Sequence, residues 1–487
     1  MSQYRFIHLR TILRFTGIVT LILAGLMLIP TIYAFLEDER NEAAFAFSAI
    51  SAFALGITLF LAGEKNNDGM NKRDGFITIV FTWITISICG GLPFVLSGAT
   101  DNFGDAVFES IAGFATNGLS ILNFERIPYS VLLWRGIIEW VGGIGIIIFI
   151  MSFIPFFKTP QAKIFFFDRS DETIGNIKTT VSGTARRLIS IYTGFTLLLF
   201  IILFTQGMQI KEALLYTLST MSTSGFSPLN GNVSALSSGA LSTIAVFMFL
   251  AGSNLYLIYF AIKLHFNKIL KNDEFKWYFL SILVPLIALF TQYSFTQGVV
   301  GNGKLAGETL FNIISIITTT GFYIAQDIPF LSSFWWLVFF LLMFLGSAAA
   351  SSGGGINVFR QAILLRSARR YFLSILHPKA IYKVRFNKVD LDENNVSRVM
   401  GFLLIFLLVY VLGILMLTIG GHGFQDSLAM SVAFLSNTGN AVRLLINDLN
   451  MADIHWYDKF TFALMMLFGR LHIIPLLLVL SPIFWKK

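Results

Sequence analysis

The chain has 487 residues, of which 55% are hydrophobic and only 13% are charged. Soluble domains usually carry about a quarter charged residues. This composition, with a mean hydropathy of +0.73, therefore indicates a polytopic membrane protein and excludes disordered, fibrous and nucleic-acid-binding chains. The single cysteine, Cys89, excludes an intramolecular disulfide framework and a cysteine metal cluster.

Ten apolar segments are long enough to cross a bilayer, whose ~30 Å hydrocarbon core needs roughly 20 helical residues. An even number of spans places both termini on the same side of the membrane. The predicted spans, in chain order, are 11–35, 44–63, 75–97, 130–155, 188–206, 237–264, 277–297, 333–363, 399–420 and 457–484.

Lysine and arginine concentrate on the side that carries both termini. Three connections on that side, 158–187, 263–276 and 360–398, carry six, four and nine of the 35 cations. Basic connections stay in the cytoplasm, so the pattern predicts cytoplasmic termini. Docking of a cytoplasmic partner or of anionic membrane lipid is a second interpretation of the same charges.

The connections after the third, fifth, seventh and ninth spans contain one repeated segment. The four copies align without a gap as DAVFESIAGFATNG (105–118), EALLYTLSTMSTSG (212–225), ETLFNIISIITTTG (308–321) and DSLAMSVAFLSNTG (426–439). An acid stands thirteen residues before each glycine: Asp105, Glu212, Glu308 and Asp426. A small residue stands six before it: Ala112, Ser219, Ser315 and Ala433. This register indicates four copies of one structural unit.

Each copy predicts a short helix followed by irregular backbone. About ten residues form a helix of ~15 Å, half a bilayer deep, and the acid in its first turn complements the helix dipole. Irregular backbone at membrane depth must line a water-filled path or be buried in protein. Glycine lets carbonyl oxygens turn toward an axis, where they can replace the hydration shell of a cation. Re-entrant packing segments of a secondary solute transporter are the alternative.

The predicted fold is all-α and polytopic, with four span–pore-helix–span repeats around a pseudo-fourfold pore. Two peripheral N-terminal spans occupy 1–70. The four pore repeats that follow occupy 71–180, 181–272, 273–394 and 395–487.

The eighth predicted span is interrupted by a tract of small residues, which we call the small-residue loop. It comprises Gly346, Ser347, Ala348, Ala349, Ala350, Ser351, Ser352, Gly353, Gly354 and Gly355. Its glycines and serines are poor helix formers, and unpaired backbone cannot face lipid. A flexible loop that crosses the cavity next to the filter is favoured over a tight helix crossing. A phosphate cradle is disfavoured because no GK[ST] sequence follows.

Arg470, Glu109 and Glu139 are charged residues that lie within or next to predicted spans. Arg470 falls near the middle of the tenth span, where an arginine costs about 2.5–3.5 kcal/mol to insert and must face protein or water. It is either a positive barrier that pairs with the small-residue loop when the pore is closed, or a packing residue bonded to carbonyls. For Glu109 and Glu139, a vestibule role or structural pairing is favoured over proton transfer.

These features resemble the Trk/Ktr/HKT superfamily of potassium transporters. The resemblance is carried by the four pore loops, EWVGGIGIIIF (139–149), SGTARRL (182–188), GGGIN (353–357) and MLFGRLHI (466–473). The two extra N-terminal spans are similar to the TrkH type. The resemblance implies potassium uptake across the cytoplasmic membrane of a prokaryote, a homodimer, and a cytoplasmic nucleotide-binding regulatory ring of the TrkA/KtrA type.

The resemblance also assigns residues by position. Its potassium-binding filter is formed by Ala115, Thr116, Asn117 and Gly118; Ser222, Thr223, Ser224 and Gly225; Thr318, Thr319, Thr320 and Gly321; and Ser436, Asn437, Thr438 and Gly439. It gives a gating role to the small-residue loop and to Arg470. Asn357 and His472 stand where relatives often carry a lysine and an acid, so those charges are missing here.

The resemblance implies no covalently bound cofactor. The transported K⁺ is the one metal ion it implies, and a nucleotide would act only through the regulatory partner.

A single glycine per copy predicts real but incomplete discrimination of K⁺ from Na⁺. Channel-like flux and symport of K⁺ coupled to Na⁺ or H⁺ both stay open. The sequence has no HExxH, GxSxG or Walker lysine, so a membrane-embedded enzyme is not favoured.

The longest inside connection, 364–398, contains the basic and amphipathic run RSARRYFLSILHPKAIYKVRFN (366–387). It predicts an interfacial helix, a contact with the regulatory ring, or both.

Overall fold

The computed structural model describes residues 7–64, 71–124, 127–153, 177–228, 231–297, 303–324, 333–380, 382–446, 449, 451, 454–471 and 473–485. Two long helices come first, α1 (Leu9–Leu36) and α2 (Glu42–Ala62). Their backbones approach so closely that a Cβ on Gly17 would collide with Gly56 and Phe60. Small residues permit this distance between neighbouring helices.

Four units follow the N-terminal pair, and each contains a long helix, a short helix and a second span. The first two units contain α3 (Lys72–Leu96), α4 (Phe103–Phe114), α5 (Tyr129–Phe153), α6 (Ile177–Thr205), α7 (Ile210–Ser222), α8 (Ser238–Ala251), α9 (Leu255–Ile262) and α10 (Phe266–Lys271). The last two contain α11 (Asp273–Gln297), α12 (Gly303–Ile317), α13 (Ser333–Leu345), α14 (Val358–Leu376), α15 (Glu393–Ile419), α16 (Phe424–Ser436), a 3₁₀ helix (Gly439–Leu444), α17 (Trp456–Arg470), α18 (Ile474–Leu480) and α19 (Pro482–Trp485). The predicted all-α polytopic fold is confirmed.

Apolar helices of membrane-spanning length identify an integral membrane protein. Six described helices are long and apolar enough to span, and two bent helix pairs raise the number to as many as eight. The predicted span 130–155 coincides with α5 as far as residue 153, where that described segment ends. The predicted span 333–363 contains only a 13-residue apolar helix, α13, before the chain leaves helical geometry at the small-residue loop.

Two of the predicted spans are not continuous helices, so the prediction of one unbroken span was wrong in each case. Span 237–264 is split into α8 and α9, whose axes differ by 109°. The side chain of Asn254 accepts a hydrogen bond from Tyr256 N and caps the new helix. Span 457–484 is split into α17 and α18, which differ by 116°, and Ile473 at this break has a φ of +60°. Hydropathy averages over composition and carries no information about direction, so neither break was visible.

A small hairpin follows α14 and interrupts the basic connection. Its strands, β1 (Arg385–Phe386) and β2 (Val389–Asp390), pair antiparallel. The ring of Phe386 packs edge-on against Phe359 of α14, with centroids 4.6 Å apart. A hydrogen bond from the Arg385 side chain lowers the pKa of Asp390. Within the predicted interfacial segment, α14 ends at Leu376. Only the first part of that segment is therefore a helix.

Candidate functional site

The four glycine loops meet in one closed ring, which we call the glycine ring. Each glycine lies so close to the next loop that an added Cβ would collide with its backbone. The pairs are Gly118 with Ser224 O, Gly225 with Thr320 O, Gly321 with Thr438 O, and Gly439 with Gly118 N. All sixteen residues assigned to the filter are buried. The structure therefore brings together all four predicted segments, in chain order, around one centre.

Each short helix ends in the same hydrogen-bonded turn. The residue two before each glycine is left-handed: Thr116 (φ 53°), Thr223 (55°), Thr319 (58°) and Asn437 (56°). The next residue donates its N–H to the carbonyl six positions before the glycine, in the pairs Asn117–Ala112 (2.8 Å), Ser224–Ser219 (3.0 Å), Thr320–Ser315 (2.9 Å) and Thr438–Ala433 (3.0 Å). This is the hydrogen bond of the Schellman motif, which usually has glycine at the left-handed position. Threonine there costs about 1–3 kcal/mol, yet it recurs in three copies.

Glycines on the second spans allow those spans to approach the ring. An added Cβ on Gly143, Gly252 or Gly354 would meet the residue three before the next repeat's ring glycine, namely Ser222, Thr318 and Ser436 respectively. An added Cβ on Gly142 or Gly469 would collide with the carbonyl four before the ring glycine of the same repeat, at Phe114 and Leu435. The repeat seen in the pore loops therefore extends to the glycines that pack against these loops.

A buried ion cluster supports the first loop. Arg135 is fully buried in α5 and binds Glu109, with Nε 2.6 Å from Oε1, and Glu139. Its Nη2 also donates to the carbonyl oxygen of Asn117, at 2.9 Å, and Glu109 accepts from Ile121 N at 3.0 Å. The structural pairing favoured for Glu109 and Glu139 is therefore present.

An amide takes the place of this carboxylate in the third repeat. Asn312 stands nine residues before its ring glycine, as Glu109 does. Its Oδ1 accepts from Ile324 N at 2.9 Å and its Nδ2 donates to Ile324 O at 3.3 Å. Ile324 follows the glycine by three residues, as Ile121 does in the first repeat. Both loops are thus fastened to their own short helix at equivalent positions.

The small-residue loop lies against the ends of the short helices. Ser352 Oγ donates to Met221 O at 3.1 Å, and Gly354 N donates to Thr319 Oγ1 at 2.8 Å. All ten residues of the loop are buried. The loop therefore contacts the second and third glycine loops, and through Gly354 also the fourth.

Glu274, at the start of α11, holds the middle of the small-residue loop. Its Oε1 accepts from Ala349 N at 2.6 Å, and its Oε2 accepts from Asn254 Nδ2 at 3.0 Å. A further backbone hydrogen bond joins Ala348 N to Gly252 O, at 2.9 Å. Sequence analysis missed Glu274. The one available signal was an acidic pair, 273–274, immediately before an apolar span.

Arg470 joins the small-residue loop to the first repeat. Its Nη1 donates to Ser352 O at 2.7 Å and its Nη2 to Gly142 O at 2.6 Å, and the side chain is 2% exposed. The arginine is therefore bonded to carbonyls, and one of them belongs to the predicted partner loop. Asn357 is buried with a φ of +72°, and His472 lies outside the described residues.

The four predicted acids lie in the N-terminal halves of the short helices. Asp105, Glu212 and Asp426 occupy first turns, and Asp105 binds Lys459 of the fourth repeat at 2.8 Å. The first-turn prediction was wrong for Glu308, because α12 begins at Gly303, five residues earlier.

Spanning helices in four units, with four short helices that end at one buried ring, define a pore-loop type of integral membrane protein. The chain belongs to the TrkH family of cation transport proteins, whose model matches residues 40–280 and 275–487. Membership makes it a membrane transport protein rather than an enzyme, and it confirms the recognised family.

Named relatives match the chain over nearly its whole length. The Trk system potassium uptake protein TrkH of Escherichia coli K12 is 26% identical over 486 residues, 99% of this chain and 100% of that protein. The Trk system potassium uptake protein TrkI of Halomonas elongata is 28% identical over 495 residues, covering 98% and 97%. The crystal structure of the potassium transporter TrkH from Vibrio parahaemolyticus has a TM-score of 0.88 at 25% identity, covering 98% and 99%.

Proposed function

We propose that this protein carries potassium ions into the cell through the glycine ring. The observation that carries the proposal is the closure of four loops, each with an equivalent left-handed turn, into one buried ring. Full-length relatives named as potassium uptake proteins support potassium as the ion. The sixteen residues of the four segments would then form the potassium-binding filter.

The chemistry of such a filter follows from its backbone. Carbonyl oxygens around the ring replace the hydration shell of the ion, so a cation enters without a large loss of coordination. The C-terminal ends of α4, α7, α12 and α16 lead into the ring. Their helix dipoles place partial negative charge near the ion.

The small-residue loop and Arg470 would form the gate. The loop contacts the ends of three short helices, and Arg470 fastens it to α5 through Gly142. A guanidinium next to a cation path opposes entry of K⁺ by charge, in addition to any steric block. Opening then requires the loop and the arginine to separate.

The assembly in the membrane is part of the proposal. We expect a homodimer in the cytoplasmic membrane with both termini inside, and a cytoplasmic nucleotide-binding ring as regulator. The relatives are named as proteins of a Trk system, which agrees with more than one component. The basic connections would face this partner and anionic lipid. Nucleotide would act through the partner alone.

Ion flux into liposomes containing the purified chain tests the proposal. We expect K⁺ and Rb⁺ to enter faster than Na⁺ and Li⁺. Gly225→Ser should lower the K⁺ to Na⁺ ratio by about tenfold, equivalent to roughly 1.4 kcal/mol, because its side chain would collide with Thr320 O.

Gly421→Ser is the matched control. Gly421 also has a positive φ, 94°, but an added Cβ would have no atom within 4 Å, so backbone strain is similar and the ring is untouched. An unaltered ratio in Gly225→Ser would refute the filter assignment. If the wild-type chain passes no ion, Arg470→Ala in the same assay separates a closed pore from a wrong assignment.

A further inference from the structure

The residue that follows the ring glycine differs between the four repeats. It is apolar in the first three, as Leu119, Phe226 and Phe322, and it is Asn440 in the fourth. Asn440 is 1% exposed. A buried carboxamide must be hydrogen-bonded to offset its desolvation, so its partners indicate what it does.

Those partners are two carbonyls of the glycine ring. Asn440 Nδ2 donates to Gly118 O at 2.8 Å and to Gly225 O at 3.2 Å. Two acceptors on one side fix which end of the amide is nitrogen, because Oδ1 cannot donate. The Oδ1 atom is buried and accepts no hydrogen bond from the part of the chain that the structure describes.

The carboxamide is also held from a second direction. An added Cβ on Gly231 would collide with Asn440 Cβ and would come within 3 Å of its amide. Gly231 has a φ of +79°, a conformation that glycine adopts without steric cost. The backbone at Gly231 therefore packs directly on Asn440, which limits the rotation of its amide.

We propose that Asn440 is a specificity-determining residue of the ion filter, whose NH₂ group sets the separation of the Gly118 and Gly225 carbonyl oxygens. The inference rests on the proposed function of the ring. Two oxygens bonded to one nitrogen cannot close around a cation smaller than K⁺, and the number and position of carbonyl oxygens govern selectivity. The link joins three repeats, because a side chain of the fourth fixes carbonyls of the first and second.

Flux of K⁺ and Na⁺ into liposomes with the purified full-length chain tests this role. Asn440→Leu places the residue of the first repeat at this position and removes the NH₂ group. Asn440→Asp retains the size and the Oδ1 atom but, when ionised, cannot donate to either carbonyl. We expect both variants to retain K⁺ flux and to lower the K⁺ to Na⁺ ratio about fivefold to tenfold, the effect of one or two neutral hydrogen bonds.

Asn395→Leu is the control for loss of a buried asparagine. Asn395 is 7% exposed and lies in the first turn of α15, outside the four glycine loops, and its variant should keep the wild-type ratio. Wild-type ratios in both Asn440 variants would overturn the inference and leave the proposed function standing. A lowered ratio in Asn440→Leu alone would assign selectivity to Oδ1 and overturn it as well. A wild-type protein without K⁺ preference would instead refute the proposed function.

Discussion

Arg135 is enclosed by two carboxylates and by the backbone of the first glycine loop. All three charged side chains, those of Arg135, Glu109 and Glu139, have no exposed surface. Removal of one partner from a buried ion pair is strongly destabilising because it leaves an uncompensated charge. Arg135 therefore pairs with both buried carboxylates and also fixes the position of the Asn117 carbonyl oxygen.

Arg135→Leu should cost roughly 3–5 kcal/mol of stability, measured as a shift in thermal unfolding of the detergent-solubilised protein. Arg10→Leu is the matched control, since Arg10 also pairs with a glutamate, Glu64, at 2.7 Å, but both side chains are largely exposed. An exposed pair contributes about 0–1 kcal/mol. Equal losses in the two variants would contradict a special role for the buried cluster.

At the scale of elements, two charged side chains fasten the small-residue loop, in addition to its uncharged hydrogen bonds. Arg470 holds it through Ser352 O, and Glu274 holds it through Ala349 N. The two fastenings come from different helices, α17 and α11, on different repeats. Each is a hydrogen bond to a charged side chain, which contributes about 1.5–3 kcal/mol. The closed position of the loop should therefore depend on both residues.

Glu274→Ala and Arg470→Ala should each raise basal K⁺ flux in liposomes by about tenfold to a hundredfold, the shift in open population that 1.5–3 kcal/mol allows. Their free energies should add in the double variant, because each bond holds the same loop from a separate helix. Glu393→Ala is the control, since Glu393 is an exposed acid that pairs with Arg370. Unchanged or lower flux in correctly inserted protein would remove the residue concerned from the gate.

For the whole molecule, the order of the four units could be predicted from the sequence. Their register was carried by local features: an acid, a small residue and a glycine at constant spacing. These features have local physical causes, since the small residue accepts the hydrogen bond that ends the helix. The same alignment missed the earlier start of α12, because the length of a helix is not part of the repeat.

The residues that could not be predicted have partners on other helices. The sequence does not show the buried pair of Arg135 and Glu109, because the two residues lie on α5 and α4. Glu274 and Asn440 are single residues without a counterpart in the other copies, so no internal comparison could find them. Their partners, Ala349 and Gly118, are 75 and 322 residues away in sequence, and only the folded chain brings them near.

The hairpin of β1 and β2 is connected to the small-residue loop through two adjacent acids. Asp273 Oδ2 accepts from Asn387 N of the hairpin at 2.9 Å and from Arg366 Nη1 at 2.9 Å. The next residue, Glu274, holds the small-residue loop, and Ala349 of that loop shares an apolar cluster with residues of α14 and the hairpin. A displacement of the hairpin therefore has a short covalent and packed path to the loop.

Asp273→Ala should test that coupling. Loss of its two side-chain hydrogen bonds should loosen the hairpin, which keeps the hydrogen bond from the backbone N of residue 273 to Asn387 Oδ1. Amide hydrogen exchange in residues 346–355 should then speed up by about threefold to tenfold, as expected for a local opening favoured by roughly 1 kcal/mol. Basal K⁺ flux should rise while the K⁺ to Na⁺ ratio stays unchanged, because the glycine ring has no contact with Asp273. Asp392→Ala is the control, an exposed aspartate before α15 that makes no side-chain cap. Unchanged exchange in 346–355, or an altered ion ratio, would show that the hairpin does not act on the gate through this residue.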